Sequence, residues 1–277
     1  MVAPNSRRNL DEAIKRLAVK RGDLPLRIRD VLANTVVAQM LPDCAVKGGS
    51  GIKLRLGDTG TRFTTDLDVA RSNSLDSFEE ALRERLTLGW EGFSGRSVRG
   101  SAARPKDVPA QYVMQPFAIK LAYKGKPWCT VQLEVGHNEI GDADEVEYAL
   151  AGDVADMFVQ LGFPRPRPIP IMALHHQIAQ KLHALTEPGS MRAHDLIDLQ
   201  ILSARTDLEL AKIRATCERL FAYRNMQPWP SYVQMVPGWR EAYDVQSYGL
   251  PVYSDIDEAV AWVNELIERI AVSQLQA

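Results

Sequence analysis

Apolar side chains recur at helical spacing in the first forty residues of the chain. The apolar positions of the first stretch are Leu10, Ala13, Ile14 and Leu17. Because residues three and four apart share one helix face, this spacing predicts a helix over residues 10–19. A second helical pattern covers residues 26–40 and ends near Pro42, where proline cannot continue a helix.

Short predicted strands and helices follow one another between residues 44 and 88. Residues 44–47 are typical of a strand that enters the Gly48-Gly49 turn. The next six residues, Gly-Ile-Lys-Leu-Arg-Leu, fit either a helix or a strand, and the preceding Gly-Gly-Ser favours a helix because it resembles a turn with an N-cap. A strand is predicted over residues 66–70 and a helix over residues 77–88.

The middle of the chain changes from a loop-like composition to strands. Residues 89–109 are rich in Gly, Ser and Arg, which predicts a mobile loop. Residues 112–123 and 128–135 predict two strands, joined by a hairpin turn at Lys124-Gly125-Lys126-Pro127.

Proline at alternate positions in residues 163–168 predicts an extended linker. Nearly everything after the linker has helical periodicity, and a Trp/Pro/Tyr-rich stretch covers residues 225–253. The predicted helices cover residues 171–185, 193–204, 208–221 and 256–272. We therefore expect an α+β fold, with a mixed sheet flanked by helices in a domain of residues 1–165 and a mostly helical domain of residues 166–277.

Composition restricts the function classes only weakly. The 277 residues carry a formal net charge of −2, so any contact with nucleic acid has to come from a local basic patch. The N-terminus lacks the apolar core of a signal peptide and no stretch approaches a membrane span, so we expect a cytoplasmic protein without a membrane partner. The three widely spaced cysteines predict free thiols rather than a disulfide or a zinc site.

Asp66-Leu67-Asp68 is the first candidate for chemistry. On a strand, residues two apart lean to the same face, so both carboxylates point one way while Leu67 enters the core. Like charges this close repel unless a cation neutralises them, and two carboxylates on a rigid strand make half of a magnesium site. An Asp-x-Asp pair alone also occurs by chance in many proteins.

Gly48-Gly49-Ser50 and Glu134 are the second and third candidates. Glycines allow the backbone to approach a triphosphate, which backbone amides and the Ser50 hydroxyl can hold, although an ordinary strand-to-helix turn explains the same residues. In residues 130–135 the apolar side chains alternate, so Glu134 faces away from the core and would complete a two-metal site. The alternative is a solvated glutamate on an exposed sheet face.

The combined order of these residues is similar to that of the polymerase-β-like nucleotidyltransferase superfamily, and more closely to its AbiEii or MenT-type toxins. The matching residues are Lys47-Gly48-Gly49-Ser50, Leu54, Arg62, Thr65 and Asp66-Leu67-Asp68-Val69. The resemblance continues in the C-terminal half with a lysine-bearing helix around Lys181 and the segment Arg192-Ala193-His194-Asp195-Leu196-Ile197-Asp198. Glu134 departs from the family, which often has aspartate there, and His194 stands where the family has a basic residue.

Helical periodicity gives independent evidence for Lys181. The apolar stripe of its helix consists of Leu174, Ile178, Leu182 and Leu185. Lys181 falls inside this stripe, where an ammonium is costly unless it pairs with an anion such as Asp195, Asp198 or a nucleotide phosphate. The alternative is a lysine that extends out from the edge of the stripe. The same projection places Asp195 inward and Asp198 just to one side.

The resemblance implies the site roles and the activity. Asp66, Asp68 and Glu134 would bind two Mg²⁺ ions, with Mn²⁺ as the alternative ion, and an NTP would be the substrate. Nucleotide-binding roles would fall to Lys47, Gly48, Gly49, Ser50, Arg62, Thr65, Lys181 and Asp195. Lys181 and Asp198 would also take part in catalysis. The acceptor would be RNA, with the tRNA 3′ end as the leading candidate, and an antitoxin would control the enzyme as a growth-arresting toxin.

Two rival functions stay open on the sequence. One is a nucleotidyltransferase that modifies a small-molecule or protein hydroxyl. The other is an NTP-binding regulatory module without turnover.

Several other features favour structural roles. His175, His176, His183 and His194 lack a zinc-binding motif, so we expect histidines on helix surfaces. A Trp229, Trp239 and Trp262 group is typical of a C-terminal core. A basic set fits either a nucleic-acid backbone or a solvated loop. Its members are Arg96, Arg99, Arg104, Lys106, Arg165 and Arg167.

Overall fold

The computed structural model describes residues 2–102 and 113–274 and divides the chain into two compact units. The first unit comprises residues 1–59, 63–138 and 143–172, and the second comprises residues 60–62, 139–142 and 173–277. The predicted domain boundary between residues 165 and 166 stays a prediction.

The first unit contains the whole sheet and five helices of the described residues. In chain order its elements are α1 (Arg7–Arg21), α2 (Pro25–Gln39), β1 (Ala45–Lys47), α3 (Gly48–Leu56), β2 (Leu67–Arg71), α4 (Leu75–Leu88), β3 (Phe93–Arg99), β4 (Gln115–Tyr123), β5 (Lys126–His137), β6 (Val146–Ala149), α5 (Gly152–Gln160) and β7 (Ile169–Met172). The strand order is β3-β4-β5-β2-β1-β7-β6. The pairs β2–β5 and β1–β7 are parallel and the other pairs are antiparallel, so the sheet is mixed as predicted.

One face of the sheet packs against helices to form the main core. Alternate strand residues such as Val69, Phe117 and Leu133 are fully buried there, together with Ile14 of α1 and Val36 of α2. Burial of such apolar side chains contributes roughly 1.5–3 kcal/mol each, which fixes the register of the strands. The residues between them therefore point to the opposite face, which carries the candidate site.

The second unit is helical in its described residues. Its helices are α6 (Leu174–Thr186), α7 (His194–Arg205), α8 (Leu210–Arg224), α9 (Trp239–Ser247) and α10 (Ile256–Val272). Ile178, Leu199, Leu220 and Ile267 are buried within it. The predicted α+β class and the mostly helical C-terminal part are confirmed. Every helix in the described part of the chain is too short or too polar to span a lipid bilayer.

Two predictions of local structure are wrong. Residues 93–99 form strand β3 rather than part of a loop, because they pair with β4 along their whole length. The helix predicted from Ile171 begins instead at Leu174, since Ile171 lies in β7 opposite Val46. The Trp/Pro/Tyr-rich stretch contains helix α9. The remainder of the predicted loop from residue 103 onward, with Arg104 and Lys106, lies outside the described residues, as does the predicted strand start at Tyr112.

Candidate active site

The register of three neighbouring strands brings a lysine and two carboxylates into one row. Lys47 of β1 is opposite Asp68 of the antiparallel strand β2. Asp68 is in turn opposite Glu134 of the parallel strand β5. Residues paired in this way project from the same face of a sheet with neighbouring strands about 4.8 Å apart. Asp68 and Glu134 therefore lie side by side, as the alternation of apolar residues predicted.

The apolar neighbours of these carboxylates hold them on this face. Leu67 and Val69 flank Asp68, and Leu133 and Val135 flank Glu134, and all four are buried in the main core. A one-residue slip of either strand would place a carboxylate in that core and expose the apolar side chains. The orientation of the carboxylates is thus a consequence of hydrophobic burial on the other side of the sheet.

Asp66 lies immediately before β2, where two side chains hold its backbone. Ser50 Oγ donates a hydrogen bond of 2.7 Å to the carbonyl oxygen of Asp66. Asn34 Nδ2 donates one of 3.2 Å to the carbonyl oxygen of Thr65. The Thr65 hydroxyl donates to Asp66 Oδ1 at 3.1 Å. Ser50 and Asn34 therefore position the segment that presents the first carboxylate.

Sequence analysis missed the role of Asn34. It is a nearly buried amide in the middle of helix α2, surrounded in sequence by Val31, Leu32, Val36 and Val37, which are all buried. A buried amide costs free energy unless it is hydrogen-bonded. A buried amide beside Thr35 in an otherwise apolar stretch of the helix was the signal for a positioning contact.

The electrostatics of Glu134 reflect its acidic neighbours. Burial raises the pKa of the Glu134 carboxyl, and the charges of Asp68 and Asp66 raise it further. Like charges disfavour ionisation of a third carboxyl group nearby. The three acidic groups thus act on one another. A divalent cation would relieve this repulsion, and oxygen ligands from carboxylates are the donors that magnesium prefers.

Gly48 fits closely beside Asp68. Its φ of +62° lies in the left-handed region, and an added Cβ would be 2.2 Å from Asp68 Oδ2. Gly48 and Gly49 form the start of helix α3, so the N-terminus of that helix approaches Asp68. The helix dipole at such a terminus favours an anion.

We expect Gly48→Ala to lower activity strongly, because the new methyl group and the carboxylate of Asp68 cannot occupy the same space. A displacement of about 1 Å at a reacting centre costs about a hundredfold in rate. The backbone conformation adds about 1–2 kcal/mol of strain.

Gly22→Ala is the matched control for this variant. Gly22 has a φ of +67° and nothing lies within 4 Å of its added Cβ. Both variants should lose similar free energy of unfolding in a denaturant titration, while only Gly48→Ala loses nucleotidyl transfer. Equal activity of the two variants would contradict the contact between residue 48 and Asp68.

In the second unit, a buried network joins Lys181 to two aspartates. Lys181 Nζ donates hydrogen bonds of 2.6 Å to Asp195 Oδ1 and 2.6 Å to Asp198 Oδ2. Lys181 is 4% exposed and the two aspartates are at most 1% exposed. The predicted inward orientation of Lys181 is confirmed, both candidate aspartates pair with it, and Asp198 is as buried as Asp195.

Two arginines complete this network. Arg62 Nε donates to Asp198 Oδ1 at 2.9 Å, and Arg192 Nε donates to Asp195 Oδ2 at 2.6 Å. Burial alone would raise the pKa of Asp195, but the charges of Lys181 and Arg192 outweigh it and hold that pKa well below its usual range. The network therefore contains three cations and two carboxylates, so it carries an excess positive charge.

Arg192, rather than His194, supplies the basic group beside Asp195. His194 Nε2 is 3.7 Å from Asp195 Oδ1. Burial lowers the pKa of His194 to about 4, since the attraction of Asp195 is opposed by Arg62, Arg192 and Lys181. His194 is therefore neutral near pH 7, and the departure from the family pattern at this position is compensated two residues earlier.

The prediction of surface histidines is wrong for three residues. His175, His176 and His183 are all buried in helix α6. His175 Nδ1 and the Thr216 hydroxyl are 2.8 Å apart. Burial lowers the pKa of His183 to about 3, and the nearby Arg224 adds to this effect. His183 is therefore neutral near pH 7. Ligand atoms of His175, His176 and Glu145 all lie within 4.8 Å of one another.

The other sequence features have local roles. Trp239 is 1% exposed and belongs to the predicted C-terminal core, while Trp229 and Trp262 are only partly buried. Among the basic set, Arg165 pairs with Asp156. Arg96 lies on an open part of the sheet.

Comparisons with known proteins identify the family of the chain. The family model described as "Nucleotidyl transferase AbiEii toxin, Type IV TA system" matches residues 30–265. The MenT4 nucleotidyltransferase toxin from Mycobacterium tuberculosis is 19% identical, with 87% of this chain and 90% of that chain covered and a TM-score of 0.47. JHP933 from Helicobacter pylori is 15% identical, with 89% and 91% covered and a TM-score of 0.45. The comparison with curated proteins gives no match. On the family match over residues 30–265, the chain belongs to the AbiEii family of nucleotidyltransferase toxins and is a nucleotidyltransferase.

Proposed function

We propose that this enzyme transfers a nucleoside monophosphate from an NTP to a hydroxyl group of RNA, with the tRNA 3′ end as the leading acceptor. The observation that carries the proposal is the register of Asp68 with Glu134, with Asp66 immediately before the same strand. Two carboxylates side by side on one face of a sheet, with a third immediately before the same strand, match what metal-assisted transfer of a phosphoryl group requires.

The donor set fits one or two magnesium ions. Asp66, Asp68 and Glu134 offer six carboxylate oxygens, and burial together with the charges of Asp68 and Asp66 raises the pKa of Glu134. A bound divalent ion would neutralise this charge, polarise the α-phosphate and favour the ionised form of the acceptor hydroxyl. Mn²⁺ has similar preferences for oxygen ligands and is the natural substitute.

In this proposal the acceptor oxygen forms a bond to the α-phosphorus of the NTP. The bond from that phosphorus to the oxygen that bridges the α- and β-phosphates breaks, and pyrophosphate leaves with its electron pair. The acceptor proton goes to solvent. Gly48 and Gly49 hold the triphosphate through their amides at the start of α3, and Ser50 and Thr65 keep Asp66 in place.

The residues of the second unit take the charge-balancing roles. Because its three cations exceed its two carboxylates, the network of Lys181 suits a polyphosphate anion. We assign Lys181 and Arg62 to charge neutralisation, and Asp195 and Asp198 to holding these cations in place. Lys47, from the row of carboxylates, is assigned to the nucleotide as well.

Membership of a type IV toxin–antitoxin family implies an antitoxin and an NTP substrate. We propose that the enzyme acts in the cytoplasm, where NTPs and tRNA are available. There it would block growth by modifying the acceptor unless the antitoxin counteracts it.

Incubation with total tRNA, Mg²⁺ and each α-labelled NTP in turn tests the proposal. We expect label on tRNA with at least one NTP, release of pyrophosphate, and loss of both signals with EDTA. Asp156→Asn serves as a control, because Asp156 is an exposed carboxylate of α5 with only a surface ion pair to Arg165. It should retain full activity.

Any of three results would contradict the proposal and lead to a different one. Label on a small molecule or a protein instead of RNA would assign another acceptor. Tight NTP binding without pyrophosphate release would indicate a regulatory module. Label on tRNA that persists with EDTA would show that the reaction does not need a divalent metal ion.

A further inference from the structure

Two further rows of side chains lie on the same sheet face as Asp68 and Glu134. Strand pairing places Gln132 of β5 beside Ala118 of β4 and Val98 of β3 in one row. The next row has Thr130 of β5, Lys120 of β4 and Arg96 of β3. We call these six residues the open sheet face.

The open sheet face is accessible to solvent. Of its six residues, Ala118 is partly buried and the other five are exposed. Their neighbours Phe117, Ile119, Val131 and Leu133 are buried on the opposite face. A sheet face of this kind, with small or flexible side chains, lets an extended chain approach the backbone closely.

Its two cations are available for a ligand. Among the described residues, neither Arg96 nor Lys120 has an acidic group within ion-pair distance, and the open sheet face contains no acidic residue. Arg99 differs, because it points to the other side of β3 and is 3.3 Å from Glu79 Oε2 and 3.5 Å from Asp76 Oδ1. The alternation of side chains along β3 thus places Arg99 in an ion pair on one side and leaves Arg96 available for a ligand on the other.

We propose that the open sheet face binds the sugar–phosphate backbone of the RNA acceptor upstream of the reacting hydroxyl. The inference rests on the proposed function, because it takes the carboxylate row as the place of reaction. Phosphates of the acceptor would contact Arg96 and Lys120, and the hydroxyl and amide of Thr130 and Gln132 would contact riboses or phosphates. Val98 and Ala118 would pack against the sugars.

The spacing suits several nucleotides of RNA. Thr130 is four residues from Glu134 along β5, which is about 13 Å at ~3.3 Å per residue. Lys120 is one strand farther across and Arg96 two, with strands about 4.8 Å apart. At the roughly 3.4 Å rise per nucleotide of a stacked helical strand, this reach corresponds to about four or five stacked nucleotides from the reacting end.

The composition of the open sheet face favours RNA over a protein partner. Protein interfaces concentrate their binding energy in buried aromatic and large apolar side chains. The open sheet face has none, and Val98 is its largest apolar member at 39% exposure. A flat polar surface with unpaired cations instead matches a sequence-independent backbone site.

Salt-dependent binding of 5′-labelled tRNA tests the inference. Binding is measured by fluorescence anisotropy in the Asp68→Asn background, which prevents turnover. We expect the Arg96→Gln/Lys120→Gln double variant to weaken binding about tenfold or more near physiological salt, and to reduce the slope of log K against log salt by about 1.4–1.8, since each lost phosphate contact removes about 0.7–0.9. With Asp68 restored, the ratio of kcat/KM for tRNA to that for a trinucleotide acceptor should fall by a similar factor.

Arg8→Gln/Lys20→Gln is the matched control, because it removes the same charge from exposed positions of α1, the helix that packs on the other side of the sheet. It should leave the slope unchanged. The inference would be overturned if both double variants changed the slope of log K against log salt equally. It would also be overturned if Arg96→Gln/Lys120→Gln kept the tRNA affinity and instead lost binding of the antitoxin protein. Failure of the proposed function is separate: the wild-type enzyme would then transfer no label to any RNA.

Discussion

Asp68→Asn is expected to lower nucleotidyl transfer by about a thousandfold or more. Asp68 is the central member of the row, opposite both Lys47 and Glu134. In the proposed reaction, loss of this charge removes a metal ligand and with it several kcal/mol of transition-state stabilisation, and each 1.4 kcal/mol is tenfold in rate. Asparagine has the same shape, so the contact with Gly48 and the fold should persist. Steady-state kinetics with a saturating NTP measure the loss.

The same variant has a spectroscopic consequence in the absence of metal. Because the charge of Asp68 raises the pKa of Glu134, Asp68→Asn should lower that pKa toward the usual range of a glutamate. Carboxyl carbon NMR titration of Glu134 measures this shift, with Asp156→Asn as the control that leaves it unchanged. An unshifted Glu134 together with full activity would show that the two carboxylates do not form one site.

Lys181→Met is expected to destabilise the protein by about 3–5 kcal/mol. It leaves the carboxylates of Asp195 and Asp198 buried with one cation fewer, and removal of one partner from a buried ion pair has a cost of that size. Denaturant titration measures the free energy of unfolding. Arg240→Met, which breaks an exposed ion pair with Asp257, should cost far less free energy of unfolding.

The deficit of Lys181→Met should shrink in acid. The folded-state pKa of Asp195 is lowered in the wild-type protein, so its ion pair contributes stability above the unfolded-state pKa of about 3.9 and loses it as the pH falls below that value. In the variant this contribution is already missing. A deficit that stays constant between pH 7 and pH 3 would contradict the ionic origin of the effect.

The parts of the fold that sequence analysis predicted are those with strong apolar periodicity. In β2 and β5 buried apolar residues flank Asp68 and Glu134, so the face of the sheet to which these carboxylates point follows from the sequence alone. Strand β3 could not be predicted from the sequence, because its Ser, Gly and Arg residues do not alternate between buried and exposed positions. Only its pairing with β4 defines it as a strand. A short strand of this kind depends on its partner rather than on its own composition.

The features of the site that the sequence did not predict depend on long-range contacts. Lys181 and Asp195 were predictable because each lies inside the apolar stripe of its own helix. Asn34 contacts Thr65, which is 31 positions away in sequence, and no local pattern reveals such a pair. Likewise, helical periodicity could not show that Arg192 pairs with Asp195 while His194 stays neutral, since this depends on the charges of the surrounding network.

The most direct test of the account is to locate manganese by anomalous X-ray diffraction in crystals grown with Mn²⁺ and a non-hydrolysable NTP analogue. The account predicts anomalous density bounded by Asp66, Asp68 and Glu134, and its loss in crystals of the Asp68→Asn variant. Manganese bound only at other positions, with the three carboxylates uncoordinated beside the bound nucleotide, would contradict it.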